Sequence, residues 1–136
     1  MPFVSQQRVQ FAHVDAAGIV FYPRYFEMLN AAVEELFARR TAADFKTIHL
    51  ERGLGLPTVQ LNCDFKAPSR LGDLLDFFLE VVRIGRSSME LAVQVRCADE
   101  ERFCARVVLV CVDLKTGRSV AWPDDMRPCG EDRGEA

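Results

Sequence analysis

The chain has 136 residues, 49% of them hydrophobic, and a formal net charge of −3. This length suits one domain over residues 1–136, and the charge gives no general attraction to nucleic acid. No apolar run approaches the ~20 residues that cross a membrane, and the N-terminus lacks the basic-then-apolar pattern of a signal peptide.

The first half of the chain predicts a short strand, a loop and a long helix. Val9 and Phe11 alternate with polar neighbours, as on a strand. From Tyr22 to Arg40 the spacing is helical, and a proline near the start fixes the N-terminal boundary. A weaker helical piece covers residues 43–51. The apolar side of the long helix consists of Phe26, Leu29, Val33, Leu36 and Phe37.

The second half of the chain predicts antiparallel strands separated by turns. Alternating side chains predict a half-buried strand from Val59 to Lys66. Residues 129–136 predict a polar, frayed tail. One long helix followed by antiparallel strands indicates the α+β class. The further predicted strands are Leu74 to Ile84, Met89 to Cys97, Phe103 to Asp113 and a short last one, Arg118 to Trp122.

Two of these strands are apolar on both sides, Leu74 to Ile84 and Phe103 to Val112. One helix covers only one face of a sheet. A second copy of the chain is therefore the simplest cover for the other face or for the edge of the sheet. The alternative is that the second helical piece and the loops cover it.

The five cysteines are odd in number and form no C-x-x-C pair. Most fall in apolar, strand-like runs, where cysteine behaves as a small hydrophobic residue. We expect reduced, buried thiols, which favours a cytoplasmic location.

Asp15 is the candidate catalytic residue, in a loop of small residues just before the long helix. Its simplest interpretation is a helix or turn cap, but Asp15 lies too far before the helix for a simple cap. Ala16, Ala17 and Gly18 leave room for a ligand to approach. A carboxylate there can attack a carbonyl or take a proton from water, while N–H groups at the helix start hold the carbonyl oxygen.

His13 suggests a dyad or a metal pair, but His49 is the only other histidine, so we predict no metal site. We expect His13 to orient the loop through a hydrogen bond. Four residues form a cationic, hydroxyl-rich corner between two strands, which is either a solvated turn or a phosphate contact. These are Arg83, Arg86, Ser87 and Ser88.

The run from His13 to Phe26, HVDAAGIVFYPRYF, resembles the signature of hot-dog-fold acyl-CoA thioesterases, most closely the 4-hydroxybenzoyl-CoA thioesterase type. Weaker similarity extends the resemblance over residues 9–128. It implies an antiparallel sheet of five to six strands wrapped around one long helix. It also implies homodimers with continuous sheets, or homotetramers, with the active site at the dimer interface.

The resemblance implies a role for each candidate residue. Asp15 would be nucleophile or general base, and the backbone N–H of Tyr22 would polarise the thioester carbonyl. Asn30 stands where such enzymes carry a hydroxyl-binding aspartate, and Phe45 is the aromatic neighbour of the acyl pocket. The corner at Arg83, Arg86, Ser87 and Ser88 would contact the nucleotide of coenzyme A, which enters as part of the substrate, so no separate cofactor is expected.

Pro23 and Arg24 stand where related broad-specificity thioesterases carry a histidine, which favours the hydroxybenzoyl type. Three alternatives remain open: a broad-specificity short-chain acyl-CoA thioesterase, an enoyl-CoA hydratase and a non-catalytic acyl-CoA-binding module. The hydratase needs a distinct Asp/His motif that the sequence lacks.

Overall fold

The computed structural model describes residues 1–130, so Glu131–Ala136 of the predicted tail lie outside the described residues. The described part contains one long helix, seven strands and three short helical turns. The turns are Phe11–His13, Thr47–Glu51 and Asp124–Met126. The longer elements are β1 (Phe3–Arg8), α1 (Tyr22–Arg40), β2 (Leu54–Gly55), β3 (Thr58–Phe65), β4 (Leu74–Ile84), β5 (Ser88–Cys97), β6 (Glu100–Val110) and β7 (Val112–Asp113).

Five strands form one antiparallel sheet in the order β1-β4-β5-β6-β3, and β2 pairs with β7 beside it. The strands alternate between inner and outer residues, so that every second side chain is buried in the first half of β4 and over most of β5 and β6. These inner side chains pack with α1 in one core. The predicted α+β class, with one long helix on an antiparallel sheet, is confirmed.

Helix α1 begins and ends where the sequence predicts, because Pro23 is tolerated in the first turn and cations favour the last one. Its N-terminal half packs against β6, where the rings of Tyr25 and Phe103 lie 4.5 Å apart. Its C-terminal half carries Phe37, whose ring stacks on Trp122 at 6.1 Å. The two halves of the helix therefore cover opposite ends of the sheet.

The prediction of a first strand around Val9 and Phe11 is wrong in position. Strand β1 ends at Arg8, and Val9 is buried while donating its N–H to the Asp73 carbonyl at 2.8 Å. Phe11 begins a helical turn and is 82% exposed. Val9 is buried just after β1, and Phe11 lies in an exposed turn. Their spacing of two residues resembles the alternation of a strand although neither belongs to one.

The prediction of a last strand from Arg118 to Trp122 is also wrong. Within residues 1–130 this segment makes only one isolated bridge, Ser119 to Val112. The strand predicted to continue to Asp113 ends at Val110 and resumes as β7. The apolar side chain of Trp122 packs in the core, and the residue does not belong to a strand.

Strand β3 is exposed along nearly its whole length, so the prediction of a half-buried strand does not hold within one chain. Leu61, Cys63 and Phe65 lie opposite buried residues of β6 and therefore face inward. Helix α1 covers them only in part, since the Phe65 ring contacts Tyr25 at 5.9 Å but stays 49% exposed. The outer edge of β3 has no neighbouring strand among the described residues. An apolar, unpaired edge of this kind favours pairing with another strand.

Asp73 accepts a hydrogen bond from the Arg70 backbone N–H at 2.9 Å and pairs with Arg102 at 2.7 Å. These contacts, the backbone N–H first, hold the pKa of the Asp73 carboxyl below its ordinary value. The stabilisation is present above the ordinary carboxyl pKa and is lost as pH falls through the lowered one. Asp73→Asn is expected to lower the free energy of unfolding by about 1–2 kcal/mol at neutral pH. Urea unfolding at several pH values checks this, and a difference that stays constant into acid would contradict it.

The cysteines only partly follow the prediction, since none of the five forms a disulfide within residues 1–130 but only Cys111 is fully buried. Cys129 is exposed, because it follows the last helical turn at the surface. Across residues 1–130, none of the helices combines the length and apolar character needed to cross a lipid bilayer.

Candidate active site

The loop that carries Asp15 is a tight hairpin that leads directly into α1. The Asp15 N–H donates to the Ile19 carbonyl at 3.0 Å, and the Gly18 N–H donates to the Asp15 carbonyl at 2.9 Å. Gly18 has a φ of +80°, a conformation that glycine adopts without strain. The Phe21 N–H then closes the hairpin on the His13 carbonyl at 3.0 Å. The hairpin that carries Asp15 is thereby closed directly before the first residue of the helix.

The Asp15 carboxylate is exposed and only partly engaged. Its Oδ1 accepts the Ala17 N–H at 2.8 Å, which holds the side chain in the loop. The second oxygen, Oδ2, has no hydrogen-bond partner within the described chain. The turn interpretation and the catalytic interpretation are therefore compatible, because each uses a different oxygen.

His13 helps to fix this hairpin, since its Nδ1 accepts the Gln10 N–H at 2.9 Å while its carbonyl accepts the Phe21 N–H. This is the kind of contact that the sequence predicts for His13. Among residues 1–130 no cluster of three or more His, Cys, Asp and Glu side chains surrounds a position suited to a metal ion.

The Tyr22 amide is a main-chain donor left open at the start of α1. In an ordinary helix the first N–H groups have no partner inside the helix. Here the Phe21 N–H donates to His13, Pro23 has no N–H, and the Arg24 N–H donates to the Phe21 carbonyl at 2.8 Å. The Tyr22 N–H has no acceptor within residues 1–130, and no side chain caps the helix. It is available to a carbonyl oxygen from outside the chain.

A cleft of about 310 Å³ lies beside this amide, between the hairpin, the first turn of α1 and the segment after β3. Ile19 and Val20, on the returning half of the hairpin, form one wall, and Phe65 forms another. Lys66 is the charged side chain among its lining residues. Asp15 itself does not line the cleft within one chain, although the same hairpin forms its wall.

A second groove, of about 140 Å³, runs between α1 and the inner face of β3. Its walls are apolar except for Asn30 on the helix and Thr58 at the start of β3. Phe26 belongs to this groove, and its ring lies 6.4 Å from that of Tyr22. The groove therefore continues along α1 from the helix start, and the sequence-predicted Asn30 lies in it.

The cationic corner is a firmly held turn between β4 and β5. Arg83 and Arg86 are exposed, while Trp122 donates its backbone N–H to the Arg86 carbonyl at 2.8 Å and its indole N–H to the Ser88 carbonyl at 3.0 Å. The Ser87 carbonyl accepts the Cys111 N–H at 2.8 Å. Because these bonds use backbone atoms, the guanidinium and hydroxyl groups of the corner stay available.

The structure does not bring all predicted site residues together within one chain. The corner lies at the Trp122 end of α1, a helix of 19 residues, or about 28 Å, whose other end carries the Tyr22 amide. Phe45 packs on Phe37 at 5.9 Å, also at the far end, and lines neither the cleft nor the groove.

Two of the thiols, those of Cys63 and Cys111, are poor candidates for a nucleophile. Burial raises the pKa of Cys63 to about 11 and also raises the pKa of Cys111. A thiol held protonated is a poor nucleophile at neutral pH. The free carboxylate oxygen of Asp15 thus remains the better-placed group for attack or proton removal.

Sequence analysis missed two residues of this region. Trp122 was assigned to a strand, although a single tryptophan near turn-forming residues is also typical of a side chain that anchors a loop. Thr58 precedes the predicted strand, which begins at Val59, and the sequence indicates no site role for it. Its position after Pro57, at the first residue of β3, is the only local signal, because the groove that it lines depends on the packing of α1.

Comparison with known proteins gives consistent matches over most of the chain. Residues 9–128 match the family model described as the thioesterase-like superfamily. A putative esterase from Aquifex aeolicus is 34% identical over 128 residues, which span 93% of this chain and 95% of that protein. A 1,4-dihydroxy-2-naphthoyl-CoA hydrolase from Nostoc punctiforme is 26% identical over 126 residues, spanning 93% and 84%.

Among solved structures, the 4-hydroxybenzoyl-CoA thioesterase of Pseudomonas sp. strain CBS-3 superposes with a TM-score of 0.82. The two chains are 26% identical, and the match covers 92% of this chain and 96% of that one. This similarity confirms the predicted hot-dog fold.

Proposed function

The chain belongs to the thioesterase-like superfamily, and we propose that it hydrolyses acyl-CoA thioesters at the start of α1. Thioester hydrolysis is the enzyme class that the sequence predicts, and the named relatives are thioester hydrolases or esterases. The observation that carries the proposal is the open Tyr22 amide beside the hairpin of Asp15. A donor fixed before the reaction stabilises the oxyanion without reorganisation, and removal of one such donor typically costs 10²–10³-fold in rate.

In the proposed reaction the thioester carbonyl oxygen accepts the Tyr22 N–H. The Asp15 carboxylate then acts in one of two ways. As a nucleophile it attacks the carbonyl carbon, expels the CoA thiolate and leaves an anhydride that water opens. As a general base it takes a proton from water, whose oxygen attacks the same carbon, and the C–S bond breaks. In both routes the products are a carboxylic acid and free CoA thiol.

We propose that the active enzyme is a homodimer paired along β3. The end of β3 lies near the helix start, where Phe65 and Tyr22 rings are 6.1 Å apart. The start of β3, at Thr58, lies at the other end of the sheet, toward the corner at Ser88. Antiparallel pairing of two β3 strands brings the end of one beside the start of the other. The helix start of one copy then faces the end of the sheet that carries the corner of the second copy.

This arrangement offers one explanation for several separate features. It pairs the open edge of β3, covers its inward-facing apolar side chains and shortens the distance between the Tyr22 amide and a cationic corner. Arg83 and Arg86 of the corner suit phosphate groups of the CoA nucleotide, since guanidinium groups match phosphate oxygens. A homotetramer would be built from two such dimers.

For the acyl group we propose an aromatic one. Two relatives are named for hydroxylated aromatic acyl-CoA substrates, hydroxybenzoyl and dihydroxynaphthoyl. The groove of this chain has Phe26 on one wall and only neutral groups, Asn30 and Thr58, as polar members. Such a lining suits a ring better than an acyl chain that ends in a charge.

The test is a panel of CoA thioesters with benzoyl, hydroxybenzoyl, phenylacetyl and short aliphatic acyl groups, with thiol release as the readout. We expect thiol release, fastest for the ring-bearing substrates. Binding of the thioesters without thiol release would indicate the non-catalytic binding module and refute hydrolysis. If short aliphatic thioesters are hydrolysed as fast as the ring-bearing ones, the broad-specificity enzyme is favoured instead.

The dimer makes its own prediction. Val59, at the bulge in β3, is 60% exposed and lines neither the cleft nor the groove. Val59→Glu puts an unpaired charge into the proposed interface, which is costly, so we expect the dimer dissociation constant to rise at least about tenfold. Analytical ultracentrifugation over a concentration series measures it.

The matched control is Val82→Glu, because Val82 also lies at a bulge and is 44% exposed, but on β4, which is separated from β3 by β5 and β6. We expect this variant to dimerise like the unmodified chain. Equal effects of the two substitutions, or a stable unmodified monomer at micromolar concentration, would argue against pairing along β3.

A further inference from the structure

Tyr25 is a buried residue whose polar end opens into the cleft beside the Tyr22 amide. It is among the residues that line this cleft of about 310 Å³, yet only 4% of it is exposed. Within residues 1–130 the Tyr25 hydroxyl has no hydrogen-bond partner, and it is not one of the unpartnered atoms sealed from solvent. A buried tyrosine hydroxyl usually has a partner, so this one is free to bind a ligand in the cleft.

Aromatic packing fixes the direction of this side chain. The Tyr25 ring lies 4.5 Å from the ring of Phe103 on β6 and 5.9 Å from that of Phe65. The planes of Tyr25 and Phe65 are inclined by 29°, which is a stacked arrangement. Phe103 is fully buried and belongs to the core of the sheet. Side chains in such close packing keep one orientation, so the hydroxyl is a donor that is positioned before a substrate arrives.

The hydroxyl and the Tyr22 amide belong to the same turn of the helix. Tyr25 is three residues after Tyr22, and side chains at this spacing are neighbours on a helix. Helical side chains lean toward the N-terminus, so Tyr25 covers the turn that begins at Tyr22. Both residues line the cleft. This placement brings the hydroxyl toward a carbonyl oxygen that accepts the Tyr22 N–H.

The other groups near Tyr22 are less suited to be a second donor. The amides of the flanking residues Phe21 and Arg24 donate within the chain, and Pro23 has no N–H. Lys66 is the charged side chain among the lining residues, but it is exposed. A lysine head on a flexible, solvated stem is not held in one position. The fixed and open side-chain donor of the cleft is therefore the Tyr25 hydroxyl.

We propose that the Tyr25 hydroxyl is a second oxyanion donor, which binds the thioester carbonyl oxygen together with the Tyr22 N–H. The inference rests on the proposed thioesterase function and adds a catalytic residue to it. As the carbonyl carbon is attacked, negative charge develops on its oxygen and both hydrogen bonds become stronger. No proton leaves Tyr25. When the C–S bond breaks, the carbonyl forms again and the hydroxyl is unchanged.

Tyr25→Phe removes the hydroxyl and keeps the ring against Phe65 and Phe103. Because the hydroxyl has no partner within residues 1–130, we expect the midpoint of urea unfolding to change little. In thiol release from benzoyl-CoA we expect kcat to fall about 10²-fold, the usual effect of losing one oxyanion donor. KM should change little, because the interaction is strongest in the transition state.

Ser69→Ala is the matched control. Ser69 is 0% exposed, and its hydroxyl also lacks a hydrogen-bond partner among residues 1–130. It follows Pro68 at the cleft but is not one of the lining residues. We expect Ser69→Ala to retain turnover. If Tyr25→Phe retains kcat as well, or if the two variants lose the same fraction of it, the oxyanion role of Tyr25 is refuted.

Infrared spectra distinguish a hydrogen-bond donor from a residue that only shapes the cleft. The slow Asp15→Asn variant is loaded with benzoyl-CoA that carries ¹³C in the thioester carbonyl, and the C=O stretching frequency is measured. Hydrogen bonds polarise the carbonyl and lower this frequency. Addition of Tyr25→Phe should move the frequency back toward that of the free substrate, whereas addition of Ser69→Ala should not. An unchanged frequency in the Tyr25 variant would overturn the proposal even if kcat falls.

Failure of the proposed function gives a different result. If the unmodified chain releases no thiol from any thioester of the panel, hydrolysis itself is refuted, and the role of Tyr25 with it. If the unmodified chain releases thiol and Tyr25→Phe does so equally fast, the thioesterase function stands and only the second donor is refuted.

Discussion

An Asp15→Asn enzyme is expected to lose thioester turnover by about 10²–10⁴-fold, the usual contribution of a positioned acid–base group, and more if Asp15 is the nucleophile. The amide of asparagine neither attacks a thioester nor takes a proton from water. Its Oδ1 can still accept the Ala17 N–H, as Asp15 does at 2.8 Å. We therefore expect the hairpin and the free energy of unfolding to change little. Thiol release and urea unfolding measure the two quantities.

Asp113→Asn is the matched control for this variant. The Asp113 Oδ1 accepts the Lys115 N–H at 2.8 Å, so Asp113 stabilises a turn with the same contact as Asp15. It lies on β7, away from the start of α1. We expect Asp113→Asn to retain turnover. If the Asp15 variant hydrolyses thioesters as fast as this control, the role of Asp15 is structural and the proposed mechanism is wrong.

A single turnover in ¹⁸O-labelled water detects an anhydride on Asp15 that water opens at the aspartyl carbon. If Asp15 acts as general base, water attacks the thioester carbon and the label appears in the released acid. If Asp15 forms an anhydride that water opens at the aspartyl carbon, the label appears in Asp15. Mass spectrometry of the acid and of the peptide that contains Asp15 gives the distribution. Both results are compatible with an open Tyr22 amide, which serves either route.

The long helix and the central strands could be predicted because their patterns are local. Proline in the first turn and arginines in the last turn set the bounds of α1, and the turns on either side set those of β4. The resemblance through HVDAAGIVFYPRYF indicates the candidate site because its residues are contiguous in the sequence. The hairpin and the helix start need no distant part of the chain to bring Asp15 and Tyr22 near each other.

The features that the sequence did not predict depend on long-range packing. Val9 looks like a strand residue, and only its contact with the Asp73 carbonyl places it outside β1. The alternation along β3 is typical of a half-buried strand, but β3 is exposed within one chain. A second copy of the chain is the proposed cover for its apolar side chains. Phe45 was expected beside the acyl pocket, yet its ring packs on Phe37 at the far end of α1. A local sequence pattern predicts that such side chains are buried, but it does not predict which residues they contact.

Trp122 is the clearest example, and it carries the second large prediction. Its ring is 3% exposed and stacks on Phe37 with planes inclined by 28°. Trp122→Ala removes this contact from the core, so we expect the free energy of unfolding to fall by about 3–5 kcal/mol. Because small domains are stable by only about 5–15 kcal/mol, this is a large fraction of the total. Urea unfolding with an unchanged m-value would establish the loss.

The same substitution is expected to act on the corner through the backbone. The Trp122 indole N–H holds the Ser88 carbonyl, and its backbone N–H holds the Arg86 carbonyl. Trp122→Phe keeps a ring on Phe37 and loses only the indole donor, while the Ser88 carbonyl still accepts the Gly85 N–H at 2.8 Å. We expect this variant to cost about 1 kcal/mol in stability.

Kinetics distinguish a positioning role for Trp122 from a purely structural one. If the corner binds the CoA nucleotide, loosening it in Trp122→Ala raises KM for acyl-CoA more than it lowers kcat, because the reacting carbonyl lies at the other end of the helix. A fall in kcat at constant KM, measured below the unfolding temperature, would contradict nucleotide binding at Arg86 and Ser88. Trp122 would then serve the core alone, and the corner would be the solvated turn that its sequence also allows.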